Sequence, residues 1–315
     1  MKILVTGGCG YIGTNLTNVL IDKGHQVTVV DIMWFGNYLN SHNNLSVIQA
    51  DIRDIDKFPM DGVDTIIHLA NIANDPTGDL NSKLTWEVNA LASKFLVEKA
   101  IDCDVEQFIF ASSGSVYGVK EEPQVTEDLP LLPISDYNKS KMISERVLLS
   151  YQDKLTLQII RPATVCGYSP RMRLDLSVSM LTMQALTNGK ITVFGGQQTR
   201  PNIHMNDMIG VYLHFLELGA KAPGIYNAGF ENISILDIAK KVTEYIPAEI
   251  EITESDDPRS YRQNSDKLIG TGFSPEYCIE NGIKDVIEVY NAGAVKDEDR
   301  YYNMRTMKKI FLKDE

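Results

Sequence analysis

Short apolar runs alternate with segments of helical periodicity through the first half of the chain. Strands are predicted at residues 3–5, 26–30, 45–49, 65–70, 107–111 and 156–161. Helices are predicted between them at residues 15–23, 86–101 and 139–149. The run at 65–70 is nearly all apolar, as expected of a parallel strand that is covered on both faces. This alternation predicts an α/β fold, a doubly wound parallel sheet whose ligand lies at the carboxyl ends of the strands.

Beyond residue 165 the pattern becomes less regular. Helices are predicted at 174–186, 205–218 and 235–245. The helix at 205–218 is expected to return to the large sheet, which makes the second unit discontinuous in sequence. We therefore predict a first domain of residues 1–165 plus about 203–230, and a smaller C-terminal domain of about 166–202 and 231–315. The charged tail at 297–315 has no predicted role.

A glycine-rich turn, Thr-Gly-Gly-Cys-Gly-Tyr-Ile-Gly over residues 6–13, joins the first predicted strand to the first predicted helix. Gly7 permits the tight turn, Gly10 lets the backbone approach a pyrophosphate, and Gly13 allows close packing of the helix. The N–H groups at the start of that helix can then bind phosphate. The strand, turn, helix and second strand together predict a dinucleotide-binding domain of the Rossmann type.

Asp31 ends the second predicted strand and bears on the choice of cofactor. A carboxylate at this position accepts hydrogen bonds from the 2′-hydroxyl of the adenosine ribose and repels a 2′-phosphate. No arginine or lysine follows it closely, and none lies within the glycine turn. The predicted cofactor is therefore NAD rather than NADP.

Tyr137 and Lys141 form a candidate catalytic pair. They follow a proline-rich loop that ends in Ser-Asp and lie four residues apart on the next predicted helix, so that they share one face. A free tyrosine keeps its proton until about pH 10, but a neighbouring cation favours the phenolate. The pair can therefore provide a proton acceptor for an alcohol, although the same spacing also occurs on solvated helix faces.

Composition and charge limit the possible partners. The chain has 315 residues and a net charge of −12, which disfavours binding to nucleic acid or to an anionic membrane. No apolar run approaches the length of a membrane span, and the N-terminal apolar stretch is too short for a signal peptide, so a cytoplasmic location is expected. The four cysteines and five histidines lack metal-ligand spacing, so neither a metal site nor a disulfide is predicted.

Further motifs follow in order: Asp51-Ile52, His68-Leu69-Ala70, Asn89, Ser112-Ser113 with Val116-Tyr117-Gly118, Tyr137 with Lys141, and Arg161-Pro162. With the glycine turn, they resemble the extended short-chain dehydrogenase/reductases, specifically the NAD-dependent sugar-nucleotide epimerases and dehydratases. The resemblance covers roughly residues 1–290. It implies that Ser113 hydrogen-bonds the reacting hydroxyl, that Tyr137 is the base, and that Lys141 holds the nicotinamide ribose and lowers the pKa of the tyrosine.

The resemblance also implies which residues bind cofactor and substrate. Those expected at the cofactor are Gly7, Gly10, Tyr11, Ile12, Gly13, Asp31, Asp51, Ile52, Leu69, Ala70, Asn89, Ser112, Lys141 and Pro162. Those expected at a nucleotide-diphosphate sugar are Asn71, Ser115, Thr164, Arg171, Arg173, Arg200, Arg259 and Arg262. Arginines suit its diphosphate because a guanidinium binds two phosphate oxygens at once. By the same resemblance, helices at about 84–101 and 137–150 pair in a homodimer.

Departures from the family's patterns narrow the reaction. The 4,6-dehydratases carry an acid within two positions after the catalytic serine or threonine, and here those positions are Gly114 and Ser115. Epimerase/reductases of the fucose-synthesis type use a cysteine in that loop, which this chain lacks. What remains is hydride transfer from a sugar carbon, most often C4.

Residues 161–173 and 200–204 are similar to the GDP-manno-heptose 4-dehydrogenases of bacterial capsule pathways. Thr164 also stands where UDP-galactose 4-epimerases carry an asparagine, which argues against a UDP-hexose substrate. The prediction is therefore an NAD-dependent sugar-nucleotide 4-dehydrogenase, with a 4-epimerase as the alternative. A non-catalytic NAD-binding regulator is a second alternative, against which the intact Ser113, Tyr137 and Lys141 weigh.

Overall fold

Strands and helices alternate along the computed structural model, which describes residues 1–255 and 260–311. The strands are β1 Lys2–Thr6, β2 Gln26–Asp31, β3 Leu45–Gln49, β4 Thr65–His68, β5 Gln107–Ala111, β6 Thr156–Pro162, β7 Thr164–Cys166, β8 Lys190–Phe194, β9 Thr199–His204, β10 Gly224–Ala228, β11 Glu231–Ser234 and β12 Glu249–Thr253. The helices are α1 Tyr11–Asp22, α2 Asp75–Gly78, α3 Ser82–Trp86, α4 Ala92–Asp102, α5 Asp136–Leu149, α6 Ser177–Asn188, α7 Met205–Leu218, α8 Ile235–Tyr245, α9 Asp266–Ile269, α10 Ile279–Asn291 and α11 Asn303–Phe311.

One all-parallel sheet of seven strands, in the order β3-β2-β1-β4-β5-β6-β10, forms the centre of the molecule. From β1 the chain adds strands outward to β3, then crosses back and adds β4 and the later strands on the other side. Ligands of doubly wound sheets bind at the carboxyl ends of the strands where this reversal occurs, here between β1 and β4. The predicted fold is confirmed.

Apolar side chains cover both faces of this sheet, because alternate residues of a strand point to opposite faces. On one face, Ile3 and Val5 of β1 belong to the same core as Phe215 of α7. On the other face, Leu4 belongs to a core that includes Leu96 of α4. Burial from both sides fixes the end of β1, and with it the start of the glycine turn.

Two small sheets, β11-β9-β7 and β12-β8, lie outside the large one. Strand β8 and helices α6, α8 and α10 share a separate apolar core. Helix α7 packs instead with the large sheet, as the sequence predicts for residues 205–218. The exact division of the chain into two domains remains a prediction.

The helix predicted at 86–101 begins earlier, at Ser82. The side chain of Asn81 caps it by accepting a hydrogen bond from the Leu84 N–H at 3.0 Å. The chain then passes through a π-helical turn, Glu87–Leu91, before α4 begins. Such turns are rare within helices and often occur at functional sites.

The helix predicted from Lys139 also begins earlier, at Asp136. Ser135 caps it by accepting a hydrogen bond from the Asn138 N–H at 3.2 Å. This start places Tyr137 in the first turn of α5, which orients its side chain more firmly than a loop would.

The described part of the chain carries neither a membrane-spanning helix nor a cluster of metal ligands. Within residues 1–255 and 260–311, no helix is long and apolar enough to cross a bilayer. No three His, Cys, Asp or Glu side chains of these residues are grouped to hold a metal ion.

Candidate active site

A cavity of about 520 Å³ opens at the carboxyl ends of the large sheet's strands. The predicted cofactor residues that line it are Gly7, Gly10, Tyr11, Ile12, Gly13, Asp31, Asp51, Ile52, Leu69, Ala70, Ser112 and Pro162. The predicted substrate residues that line it are Asn71, Ser115, Thr164, Arg171, Arg173 and Arg200. Residues from the whole length of the chain therefore meet around one space.

The glycine turn has the close contacts that a phosphate-binding turn requires. Gly7 has a φ of +75°, and a Cβ added there would lie 2.6 Å from the backbone nitrogen of Ala70. A Cβ on Gly13 would lie 2.2 Å from the carbonyl oxygen of Gly7. A larger side chain at Gly7 would push the turn away from the chain that follows β4, and one at Gly13 would push α1 away from the turn. The turn and the helix start thus fit a dinucleotide diphosphate.

Asp31 stands at the end of β2 and lines the cavity. Its carboxylate accepts hydrogen bonds from the backbone N–H groups of Met33 at 2.7 Å and Cys9 at 3.0 Å. Burial raises its pKa, while these hydrogen bonds and the charge of Arg171 oppose the rise. The carboxylate is therefore held in place to accept from a ribose hydroxyl.

Asp51 and Ile52 follow β3 and line the same part of the site as Ala50. Asp51 forms an ion pair with Arg53, whose guanidinium lies 2.8 Å from the carboxylate. Burial acts to raise the pKa of Asp51, but the Arg53 hydrogen bonds and charge outweigh it and leave the pKa lowered. Asp51 thus presents a neutralised carboxylate, and Ile52 an apolar surface suited to adenine.

The side chains of Ser113 and Tyr137 both line the cavity. Burial raises the pKa of Tyr137, the nearby Asp75 carboxylate adds to the rise, and the Ser113 hydroxyl and the charge of Arg173 oppose it. The net result is a pKa of about 12. The phenol is therefore protonated at neutral pH in the protein alone.

A chain of polar contacts extends from this pair toward α2. The hydroxyls of Ser113 and Ser115 lie 2.7 Å apart, and Ser115 donates to the side-chain oxygen of Asn138. The amide nitrogen of Asn138 in turn donates to Asp75 at 2.8 Å. These contacts fix the rotamer of Ser113 and so its alignment with Tyr137.

Lys141 is 1% exposed and lies one helical turn beyond Tyr137. Its ammonium donates to the Ala111 carbonyl and lies 4.8 Å from the centre of the Phe110 ring. Burial lowers its pKa to about 7, against the opposing charge of Glu145. Its role at the nicotinamide ribose remains a prediction.

Asn89 does not line the cavity itself but hydrogen-bonds the backbone of Ile72, which does. Its side-chain oxygen accepts from the Ile72 N–H at 2.8 Å, and its nitrogen donates to the Ile72 carbonyl at 3.2 Å. The nitrogen also donates to the Ser140 hydroxyl at 3.0 Å. Asn89 thus joins the cavity-lining loop after β4 to helix α5.

Two predicted substrate arginines are not among the described residues that line the cavity. Arg262 is exposed, and its neighbour Tyr261 lines the cavity instead. Arg259 lies outside the described residues. Sequence reasoning also missed Asn303 and Met307, which line the cavity from the C-terminal tail. The spacing of four between these two was the available signal, because it places them on one helix face.

The fold and this cavity define a dinucleotide-binding enzyme of the short-chain dehydrogenase/reductase type. The chain belongs to the NAD dependent epimerase/dehydratase family, which it matches over residues 3–229. This confirms the family resemblance drawn from the sequence, and the cofactor is NAD.

Relatives of known activity show what the chain is similar to. It is 28% identical to the UDP-glucose 4-epimerase of Lactobacillus helveticus, over 91% of this chain and 95% of that protein. It is 27% identical to the UDP-glucuronic acid decarboxylase 1 of Danio rerio, over 92% of this chain and 72% of that protein. The crystal structure of the Thermus thermophilus UDP-glucose 4-epimerase with NAD matches with a TM-score of 0.81 and 26% identity, covering 94% of this chain and 100% of that chain.

Proposed function

We propose that the protein is an NAD-dependent sugar-nucleotide 4-dehydrogenase, which oxidises the C4 hydroxyl of a nucleotide-diphosphate sugar and releases a 4-keto sugar nucleotide. The observation that carries the proposal is that the hydroxyls of Ser113 and Tyr137 belong to residues lining the same cavity as the glycine turn. Two hydroxyls that can hold one alcohol beside a dinucleotide site suit removal of a proton and a hydride.

The chain supplies positioning and proton transfer. NAD, when bound, supplies the acceptor for the hydride. Ser113 holds the C4 hydroxyl by a hydrogen bond, and Tyr137, after it has lost its own proton to solvent, takes the C4 hydroxyl's proton as the carbonyl forms. Because the pKa of Tyr137 is about 12 in the protein alone, this transfer needs added positive charge. The Arg173 charge already acts on this pKa, and Lys141, one helical turn away, can supply the added positive charge.

We assign the substrate's diphosphate to the start of α6 and to Arg200. No side chain caps this helix at Leu176, so its first N–H groups are open to an anion. The Ser177 hydroxyl is buried without a hydrogen-bond partner among the described residues. Arg200 lines the same cavity and can bind phosphate oxygens in pairs.

Simple hydride transfer is favoured over elimination of water. The positions after Ser113 are Gly114 and Ser115, and the Ser115 hydroxyl already donates to Asn138. Among the cavity's carboxylates, Asp175 is paired with Arg173 at 2.9 Å. Elimination of water needs a separate acid and base at the sugar. The Ser115 hydroxyl is engaged by Asn138 and the Asp175 carboxylate by Arg173, so neither side chain suits that task.

The proposed substrate is a GDP-linked heptose or hexose for bacterial surface polysaccharide, such as capsule. Its support is the resemblance of residues 161–173 and 200–204 to the GDP-manno-heptose 4-dehydrogenases, together with Thr164 at the cavity wall. The second candidate is a 4-epimerase, which the Lactobacillus helveticus and Thermus thermophilus relatives favour.

Sugar nucleotides labelled with deuterium at C4 test the proposal. GDP-, UDP-, dTDP- and CDP-linked sugars are incubated with the protein, and mass spectrometry follows the label in sugar and nicotinamide. We expect deuterium on the nicotinamide and a free 4-keto sugar nucleotide, with the GDP-linked sugar reacting best. A sugar labelled at C5 is the control and should keep its deuterium.

Each other outcome excludes part of the proposal. Deuterium retained at C4 of an inverted sugar, without net NADH, identifies a 4-epimerase. Loss of the C5 label to solvent indicates elimination. No transfer from any of the four nucleotide classes leaves the non-catalytic NAD-binding protein as the better description.

A further inference from the structure

The C-terminal segment, defined as residues 299–311, covers one part of the cavity. It lies beyond residues 3–229, over which the chain matches its family. It consists of the short 3₁₀ turn Asp299–Tyr301 followed by α11. Asn303 and Met307 of this segment line the cavity. The family match therefore assigns no role to this segment.

Hydrogen bonds fix the segment to the loop between β7 and α6. The Leu174 N–H donates to the carbonyl of Tyr301 at 2.9 Å. The Asn303 N–H donates to the carboxylate of Asp175 at 3.1 Å. The side-chain oxygen of Asn303 accepts from the guanidinium of Arg171 at 2.5 Å. Arg171 and Asp175 themselves line the cavity, so the segment is joined directly to its wall.

The part of the cavity that the C-terminal segment covers is the part expected to hold the adenosine of NAD. Met307 is 1% exposed and belongs to the apolar core that contains Ala50 and Ile52, at the end of β3. Phe311 meets the edge of Trp34, with ring centres 5.9 Å apart. Trp34 follows Asp31, the predicted ribose ligand, by three residues. The inner face of α11 therefore lies beside the ends of β2 and β3.

Arg171 in this wall is a buried cation whose guanidinium is incompletely hydrogen-bonded. It is 2% exposed, lies 3.9 Å from the centre of the Phe35 ring, and donates to Asn303 and the Met172 carbonyl. Its Nε has no hydrogen-bond partner among the described residues. Burial lowers its pKa to about 9, with the charge of Arg173 acting in the same direction. Such a group is stabilised when an anion binds beside it.

We propose that the C-terminal segment is a wall of the adenosine and diphosphate subsite and sets the rate at which the dinucleotide leaves. Met307 covers the adenosine, and Asn303 holds Arg171 toward the diphosphate. Release then requires α11 to separate from the loop at 171–175. The inference concerns NAD alone and does not depend on which sugar the enzyme oxidises.

The dissociation rate of NADH tests this role. Dinucleotide fluorescence is followed by stopped flow after the loaded protein is mixed with excess NAD. Loss of about 1.4 kcal/mol of contact corresponds to a tenfold change, and we expect Met307→Ala and Asn303→Ala each to release NADH roughly tenfold faster or more. Lys308→Ala is the matched control, since Lys308 is exposed on the same helix beside Met307. Its rate should stay within about twofold of wild type.

Unchanged rates in both variants, with thermal unfolding showing that they are folded, would overturn the proposal. If a variant does not fold, hydrogen exchange of the unmodified protein decides. ADP-ribose should slow the exchange of backbone amides in 303–311, whereas nicotinamide mononucleotide should not. Equal exchange with and without ADP-ribose contradicts the assignment. Because no sugar is present, these results remain separate from those of the labelled sugars.

Discussion

The ammonium of Lys141 donates a hydrogen bond to the carbonyl of Ala111 at 2.7 Å, at the end of β5. The neighbouring Phe110 ring and the surrounding core remove this ammonium from water. Burial consequently lowers its pKa from 10.5 to about 7, despite the opposing charge of Glu145. A lysine that carries its proton only partly at neutral pH is costly to the fold, and such groups occur at functional sites.

Replacing Lys141 by Met should stabilise the cofactor-free protein most at low pH. Because the folded-state pKa lies below the unfolded value, the unfolded chain binds more protons between about pH 7 and 10.5. Across this window, Lys141 therefore makes the free energy of unfolding of the wild type rise by up to about 1.4 kcal/mol per pH unit. The Lys141→Met variant should not show this rise. The advantage of the variant should be largest below pH 7 and disappear toward pH 10.5.

Denaturant unfolding at several pH values measures this difference. Lys139→Met is the control, because it removes an exposed lysine from the same helix and leaves the buried ammonium of Lys141 in place. If the free energies of unfolding of the wild type and of Lys141→Met change with pH in the same way, burial does not lower the pKa of Lys141.

Tyr137→Phe should lower turnover by about 10²-fold or more, because the phenolic oxygen that accepts the proton is lost. Binding of NAD should persist, since the glycine turn and Asp31 are untouched. Initial rates with the sugar and a titration with NAD measure the two effects. Tyr212→Phe is the matched control, because the Tyr212 hydroxyl is buried without a hydrogen-bond partner among the described residues. Turnover of Tyr137→Phe near that of Tyr212→Phe would remove Tyr137 from the catalytic role.

Asp31→Asn should raise the affinity for NADP relative to NAD by roughly tenfold or more. The substitution removes the negative charge that repels a 2′-phosphate. The positive charge of nearby Arg171, which the Asp31 carboxylate offsets in the wild type, can then attract that phosphate. Calorimetric dissociation constants for both dinucleotides give the ratio. Asp51→Asn should change the ratio much less, because Arg53 already neutralises Asp51. Equal ratios in the two variants would show that Asp31 does not select the cofactor.

The spacing of residues close in sequence correctly predicted the cofactor-binding half of the site. The glycine turn and Asp31 lie within a single strand, helix and strand, so their relation depends on residues close in sequence. The parallel strands were recognisable for a similar reason, because burial on both faces leaves apolar runs. The helix starts at Ser82 and Asp136 were missed because capping by Asn81 and Ser135 depends on side-chain hydrogen bonds that apolar periodicity does not record.

Contacts between distant residues were not predictable in the same way. Arg171 meets Asn303 across 132 positions of sequence, and no repeated pattern links the two segments. Likewise Lys141 reaches a carbonyl on β5, which its spacing from Tyr137 does not indicate. In the irregular stretch near Arg262, only the folded backbone shows that Tyr261 faces the cavity.

Arg161, the arginine of the Arg-Pro motif, forms a buried ion pair with Glu145 and so has a structural role. The two side chains are 2.7 Å apart and at most 3% exposed. Arg161→Met should reduce the free energy of unfolding by about 3–5 kcal/mol, because it leaves the Glu145 carboxylate buried without its partner. The double variant with Glu145→Leu should lose less than the single one, as denaturant unfolding can show. A single variant within about 1 kcal/mol of wild type would contradict this account.

Helices α4 and α5, together with the π-helical turn before α4, leave an apolar surface that predicts a homodimer. Leu91, Phe95 and Ile143 are 47%, 42% and 36% exposed. Leu96 and Leu148, which lie on the same two helices, pack inside the core instead. Exposed apolar side chains on adjacent helices are costly in water, and a two-fold partner that presents the same surface would cover them.

Sedimentation at micromolar concentration tests this prediction. The wild type should sediment as a dimer, and Phe95→Glu should shift it to monomer because two carboxylates would be buried at the two-fold interface. Ile252→Glu is the control, since Ile252 is 56% exposed on β12 and away from these helices. It should remain dimeric. A wild-type monomer, or a Phe95→Glu dimer as stable as that of Ile252→Glu, would show that this surface does not mediate association.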